Sequence, residues 1–200
     1  MKTIYLVRHA EVVNPNGVFS PASTPLSEQG VRQAEALATW FGESGIKPER
    51  IIASPHTRTR ETAEIIALAI DGSVETDERL VEWKVGDWIG KPLAEFRRAA
   101  GYDNPPPFHL TLEGVETFED MSQRIVDTIL AEVARLPENG TSLIVSHREP
   151  LASGIIKLRN EPDWRNIPLL DIPKPCAWKL EFDGTSLSGA SKAFDTSAVN

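Results

Sequence analysis

The sequence predicts an α/β protein, a three-layer α/β/α sandwich around a mixed, mostly parallel sheet. Two observations predict it. Short apolar runs at residues 4–7, 50–54 and 142–145 read as strands buried on both faces, because none alternates with polar residues. Between them lie stretches with apolar residues at helical spacing, the alternation from which parallel βαβ units are built. At 200 residues the chain is long enough for one domain with a substantial core, and a single domain over 1–200 is expected.

The first strand, Ile4-Tyr5-Leu6-Val7, runs into Arg8-His9. Asn14-Pro15-Asn16-Gly17 is turn chemistry, and the prolines at 21 and 25 prolong the loop. Ser27 is placed to cap a helix, with Glu28 in its first turn and Val31, Ala34, Ala38 and Phe41 along its apolar face. Gly42 or Gly45 ends it. A strand at 50–54 leads into a helix carrying Thr59, Ala63, Ile66 and Ile70, and Val74 to Thr76 reads as a short third strand. The proline-rich residues 101–107 read as a long loop or lid rather than a domain boundary. Phe118, Met121, Ile125, Ile129, Val133 and Leu136 then form the packing stripe of a long helix, which ends at Pro137-Glu138-Asn139-Gly140. A strand at 142–146 meets His147, as the first strand meets His9. A helix at 151–158 and a late strand at 176–182 follow. Residues after 184 are small and polar and are expected to form a loosely held tail.

Composition narrows the function. Hydrophobic and charged fractions of 40% and 25% are those of a globular protein. A net charge of −8 argues against general nucleic-acid binding, so attraction of an anion must come from a local basic pocket. No apolar run reaches the length of a membrane span, and Met1-Lys2-Thr3 lacks a signal-peptide pattern, so a cytoplasmic location is expected. Cys176 is the one cysteine, which rules out an intrachain disulfide or a cysteine-rich zinc site. No histidine–carboxylate spacing calls for a metal, and no cofactor is expected.

Chemistry gathers in four fragments: Arg8-His9, the segment from Ser54 through Arg58 to Ala63, the segment from Leu80 through Glu82 to Gly90, and Ser146-His147. Ligands of open α/β sheets sit at the carboxyl ends of strands, where these fragments fall. An isolated Arg-His pair is ordinarily a surface feature; the other three fragments give it meaning. Arginine forks grip phosphate, neutral imidazole attacks phosphorus, and a carboxylic acid protonates the departing alkoxide. Phosphoryl transfer asks for this combination.

With these fragments the chain resembles the histidine phosphatase superfamily, the phosphoglycerate-mutase-like group. Arg8-His9-Ala10 stands for its Arg-His-Gly motif. Arg58 sits in its Ser-x-x-x-Arg-x-x-x-Thr-Ala context, Glu82 in Leu-x-Glu-x-x-x-Gly-x-Trp-x-Gly, and His147 in Ser-His-Gly. Leu26-Ser27-Glu28 with Gly30, Gln33 and Ala34 is similar to the family's first helix. The resemblance implies that His9 is the phosphorylated nucleophile, that Arg8, Arg58 and His147 form the phosphate pocket, and that Glu82 is the proton donor. It also places Asn14 beside the phosphate or the substrate. Two positions depart from the pattern. Ala10 replaces the motif glycine, as in some family phosphatases. Arg148 replaces the glycine after the second histidine, and either reaches the phosphate or an anionic part of the substrate or pairs with Glu149 on the surface.

The expected activity is metal-independent hydrolysis of a small phosphomonoester through a phosphohistidine on His9. A phosphoglycerate mutase is the nearest alternative, though family mutases carry more sequence between the acid and the second histidine. A non-catalytic phospholigand-binding module is the other, and it ordinarily lacks the nucleophile or the acid. Loops at 14–25, 91–116 and 159–175 are expected to hold specificity. Among the remaining candidates, His56 reads as either a pocket-mouth or a solvent residue, His109 as a loop residue and Arg60 as half of an ion pair. Trp83 and Trp88 read as packing a loop onto the core.

Overall fold

In the computed structural model, which describes residues 1–14, 16–100, 107–166 and 169–195, six strands form one sheet in the order β3-β2-β4-β1-β5-β6. The strands are β1 (Lys2–Arg8), β2 (Arg50–Ala53), β3 (Val74–Thr76), β4 (Thr141–Ser146), β5 (Cys176–Asp183) and β6 (Ser186–Asp195). β3, β2, β4 and β1 run parallel, while β5 and β6 are antiparallel to their neighbours. The sheet is therefore mixed with a parallel centre, as the apolar runs predict.

Side-chain alternation along the central strands makes the layers. Ile4 and Leu6 of β1 face a core shared with α4 (Phe118–Arg135) and α5 (Arg148–Leu158). Tyr5 and Val7 face the opposite core, shared with α1 (Glu28–Ser44) and α2 (Thr57–Ala69). The result is the three-layer α/β/α arrangement. Ser27 caps α1 by accepting from Gly30 N at 3.0 Å, and Gly45 closes it with φ 67°, a conformation that costs glycine little. Gly30 is also the point where α1 touches the loop after β1: a Cβ there would lie 2.0 Å from the Glu11 carbonyl oxygen.

Four details differ from the sequence reading. Val31 points to solvent, and Gly30 and Leu37 complete the buried face of α1 with Ala34, Ala38 and Phe41. α5 begins three residues earlier than the apolar pattern, with Arg148, Glu149 and Pro150 as its first turn. A short helix, α3 (Leu93–Ala99), occupies the first part of the segment read as loop, anchored by buried Phe96. The segment after Gly184 is no loose tail. It turns at Gly184 and pairs with β5 as the edge strand β6 up to Asp195. Leu187 and Ala190 pack on one core and Ala193 and Phe194 on the other, between small and polar residues that face solvent. Of the loop or lid expected at 101–107, residues 101–106 lie outside the described residues, and Pro107 opens a short 3-10 turn ending at His109. No helix among the described residues is long and apolar enough to cross a membrane.

Candidate active site

The four parallel strands bring their carboxyl ends to one edge of the sheet, and each hands a chemical group to it. Arg8 is the last residue of β1 and His9 follows it. His147 follows β4 and caps α5. β2 leads through Ser54 and His56 into α2, whose second residue is Arg58. β3 leads through a 3-10 turn to Glu82. Because β4 is inserted between β1 and β2, loops diverge to opposite faces there and leave a crevice. A cavity of about 450 Å³ opens at this place, lined among others by Arg8, His9, Asn14, His56, Arg58, Glu82, Glu149 and Lys174.

His9 is 4% exposed, and its Nδ1 lies 2.7 Å from the Ala10 carbonyl oxygen. A carbonyl only accepts, so Nδ1 carries the proton and Nε2 keeps its lone pair. Burial, followed by the nearby Arg58 cation, holds the imidazole pKa well below its ordinary value, so the ring is neutral.

Arg58 is buried and donates to the Pro21 carbonyl at 3.0 Å, while Arg8 donates to the Ile172 carbonyl. Burial lowers the pKa of both guanidiniums, and carboxylates oppose the shift, Glu149 and Glu82 for Arg8 and Glu82 for Arg58. Both remain cations, since guanidinium pKa values start so high.

His147 is fully buried beneath the cavity, its ring 5.3 Å from that of His9 and 4.9 Å from that of His56. Ser54 Oγ holds its Nε2 at 3.0 Å. Its Nδ1 stands 3.6 Å from Glu82 Oε2, beyond hydrogen-bond range. Burial, reinforced by the neighbouring cations and rings, lowers its pKa well below the ordinary value. Among the described residues, four buried side-chain nitrogens lack a protein partner, and three belong here: Arg8 Nε, His56 Nδ1 and His147 Nδ1. Unpaired buried polar atoms are costly, so their concentration at one point marks a place where a polar ligand can complete their bonding.

Glu82 faces these groups from across the cavity. Its carboxylate accepts from Trp83 N at 2.9 Å. Burial first, and the charge of Glu149 second, raise its pKa to about 7 against the pull of Arg58 and Arg8. An acid with that pKa both gives and takes a proton near neutrality. Its loop is clamped from α4. Arg124 donates to the carbonyls of Arg79 at 2.8 Å and Val81 at 3.0 Å while gripping both Glu116 oxygens. Trp83 Nε1 donates to the Glu116 carbonyl at 2.7 Å.

The structure thus brings Arg8, His9, Arg58, Glu82 and His147 together. Asn14 lines the cavity, but its amide closes its own loop through Val18, donating to the carbonyl at 2.9 Å and accepting from the N–H at 3.1 Å. Arg148 is one-third exposed and bonds Glu149, itself a cavity-lining residue, at 3.1 Å. His56 lines the cavity and meets His147 edge-on, and burial lowers its pKa to about 4. Arg60 pairs with Glu64 on the surface of α2. Trp83 packs the acid's loop onto the core and also lines the cavity. Sequence reasoning missed Glu149, Lys174 and the Arg124–Glu116 clamp. Glu149 lies two residues past a motif histidine, which was a signal. Lys174 and Arg124 reach the site only through the fold. Among the described residues, no group of three or more histidine, cysteine or carboxylate side chains is arranged to hold a metal ion.

A 2,3-bisphosphoglycerate-dependent phosphoglycerate mutase of Thermoplasma acidophilum is 31% identical over 164 residues, 78% of this chain and 75% of that protein. A probable phosphoglycerate mutase GpmB of Escherichia coli is 32% identical over 176 residues, 82% and 78% of the two chains. Among solved structures, YhfR of Bacillus stearothermophilus superposes with a TM-score of 0.82 at 26% identity, covering 98% of this chain and 96% of that one. A mycobacterial glucosyl-3-phosphoglycerate phosphatase, in complex with inorganic phosphate, shares the fold at 22% identity and a TM-score of 0.77, covering 97% and 96%. The family profile of the histidine phosphatase superfamily (branch 1) matches residues 4–188, and the chain belongs to that superfamily.

Proposed function

We propose that this protein hydrolyses phosphate monoesters through a phosphohistidine on His9, without a metal ion. The observation that carries the reading is the state of His9: a neutral ring with its proton fixed on Nδ1, set in the cavity beside two arginines. Nε2 attacks phosphorus, and the bond to the ester oxygen breaks. Glu82, protonated at its raised pKa, gives its proton to the leaving alkoxide. Arg8, Arg58 and His147 neutralise the charge on the equatorial oxygens. Water then attacks the phosphohistidine, the Glu82 carboxylate takes its proton, and phosphate leaves with His9 restored.

The names of the sequence relatives favour a second reading, a mutase, in which a hydroxyl of the glycerate replaces water as the acceptor. Interconversion of 2- and 3-phosphoglycerate, primed by bisphosphoglycerate, tests it directly.

The first experiment is hydrolysis of para-nitrophenyl phosphate in EDTA, wild type beside His9→Ala. Turnover that survives chelation and drops at least about 10³-fold in the variant is the expected result. Retention of most activity by His9→Ala overturns the mechanism.

A further inference from the structure

Ser54 opens the motif that carries Arg58, yet the proposed chemistry gives it no part. It follows β2. Because β2 pairs in parallel with β4, Ala53 opposite Val145, Ser54 lies beside the strand that ends at His147. Its backbone is pinned on both sides: Ser54 N donates to the Val145 carbonyl at 2.9 Å, and Thr59 Oγ1 donates to the Ser54 carbonyl at 2.8 Å. The side chain is fully buried, so its hydroxyl must find its partners within the protein.

Among the described residues, Ser54 Oγ has two such partners. The backbone N–H of His56 approaches at 3.4 Å, and His147 Nε2 stands at 3.0 Å. An N–H only donates. The hydroxyl proton therefore has one place to go, the lone pair of Nε2. The reverse arrangement, an Nε2–H donating to Oγ, would leave a buried hydroxyl proton with no acceptor. With Nε2 accepting, the single proton of a neutral ring sits on Nδ1. Burial keeps the ring neutral by lowering its pKa well below the ordinary value.

The two nitrogens of His147 have different surroundings. Nε2 is taken by Ser54. Nδ1 is 3.6 Å from Glu82 Oε2 and has no hydrogen-bond partner in the protein. Glu82, His9 and His56, which stand around the ring, all line the cavity. Resting on the phosphatase reading, we propose that Ser54 is a positioning residue, whose hydroxyl holds His147 in the Nδ1–H tautomer so that the ring donates to an oxygen of the bound phosphoryl group. A bare Nδ1 would turn a lone pair toward those oxygens, which repel it. It would also stand as a base beside Glu82 and compete for the proton that the leaving alkoxide needs. Ser54 removes both faults without touching the substrate.

Long-range 1H–15N correlation spectra of the histidine-labelled protein at neutral pH read the tautomer directly. The chain has four histidines, and the His147 signals are identified by their loss in His147→Ala. A protonated Nδ1 and a bare Nε2 are expected. In Ser54→Ala the ring is expected to lose that preference, and kcat/KM to fall about 10- to 100-fold, the scale of one hydrogen bond to a charged group. In a His147→Ala background the same substitution is expected to cost no more than about twofold, since Ser54 acts only through the ring. A protonated Nε2 in the wild-type spectra overturns the inference and leaves the phosphatase reading standing. So does a Ser54→Ala enzyme as active as wild type, or a loss equally large without His147. The spectra need no turnover, so a failed His9→Ala test strikes the mechanism without touching the tautomer.

Discussion

Glu82 is the residue whose environment says most about its proposed work. Its carboxyl has an ordinary pKa of 4.5 and is pushed up to about 7 by burial and by Glu149. As the general acid it must be protonated, so turnover of alkyl phosphates is expected to fall as pH rises through about 7. Glu82→Gln is expected to slow alkyl phosphates about 10²- to 10⁴-fold, the usual range for a lost general acid. Nitrophenyl phosphate, whose leaving group needs no proton, should suffer far less. Equal losses for both esters would remove Glu82 from the acid role. The same raised pKa bears on stability. The unfolded chain ionises Glu82 near 4.5 and the native protein only near 7, so this contribution is fully present below about 4.5 and is lost as pH rises toward 7. Glu82→Gln is therefore expected to gain about 1–2 kcal/mol over wild type at pH 8 and nothing at pH 4, read from urea midpoints. The 23% of the side chain left exposed keeps that gain modest.

At the scale of elements, the acid's loop owes its position to α4. Arg124 and Glu116 form a bidentate pair with side chains only 12% and 9% exposed, and Arg124 also binds the two carbonyls that flank Leu80. Removing one partner of so buried a pair strands the other, at about 3–5 kcal/mol. Arg124→Ala is expected to lose that much stability. Because the clamp holds Glu82 rather than His9, the variant should also lose more kcat with alkyl phosphates than with nitrophenyl phosphate. Loss of stability with no such leaving-group dependence would leave the clamp a purely structural device.

Across the whole molecule, the parallel centre of the sheet aligns the candidate catalytic groups, and the antiparallel pair β5-β6 finishes one side. β5 carries Ala177, Leu180 and Phe182 into the two cores, while β6 covers its outer edge. A chain ending at Asp183 would leave the backbone groups of β5 unpaired, an open template for association. Such a truncation is expected to lower Tm by several degrees, about the scale of a few kcal/mol in a domain of this size, and to elute as oligomers in size-exclusion chromatography. A monomeric, equally stable truncation would show that β6 is dispensable.

By itself the sequence determined the alternation of strands and helices, and with it the three-layer class, because apolar runs and helical spacing are local signals. It also offered the five motif residues, through four fragments whose order and local context resemble the histidine phosphatase superfamily. The strand β6 was hidden because register shifts in its pairing with β5 break the two-residue period: Leu187 and Ala190 pack on one core, Ala193 and Phe194 on the other. Only the tertiary structure decided what surrounds the motif. Arg124 reaches a loop 43 positions away, and Lys174 meets Glu11 across 163 positions of chain. The neutral ring of His9 and the raised pKa of Glu82 follow from burial and from groups distant in sequence. Desolvation and Coulomb fields act through space, so no local pattern of residues encodes them.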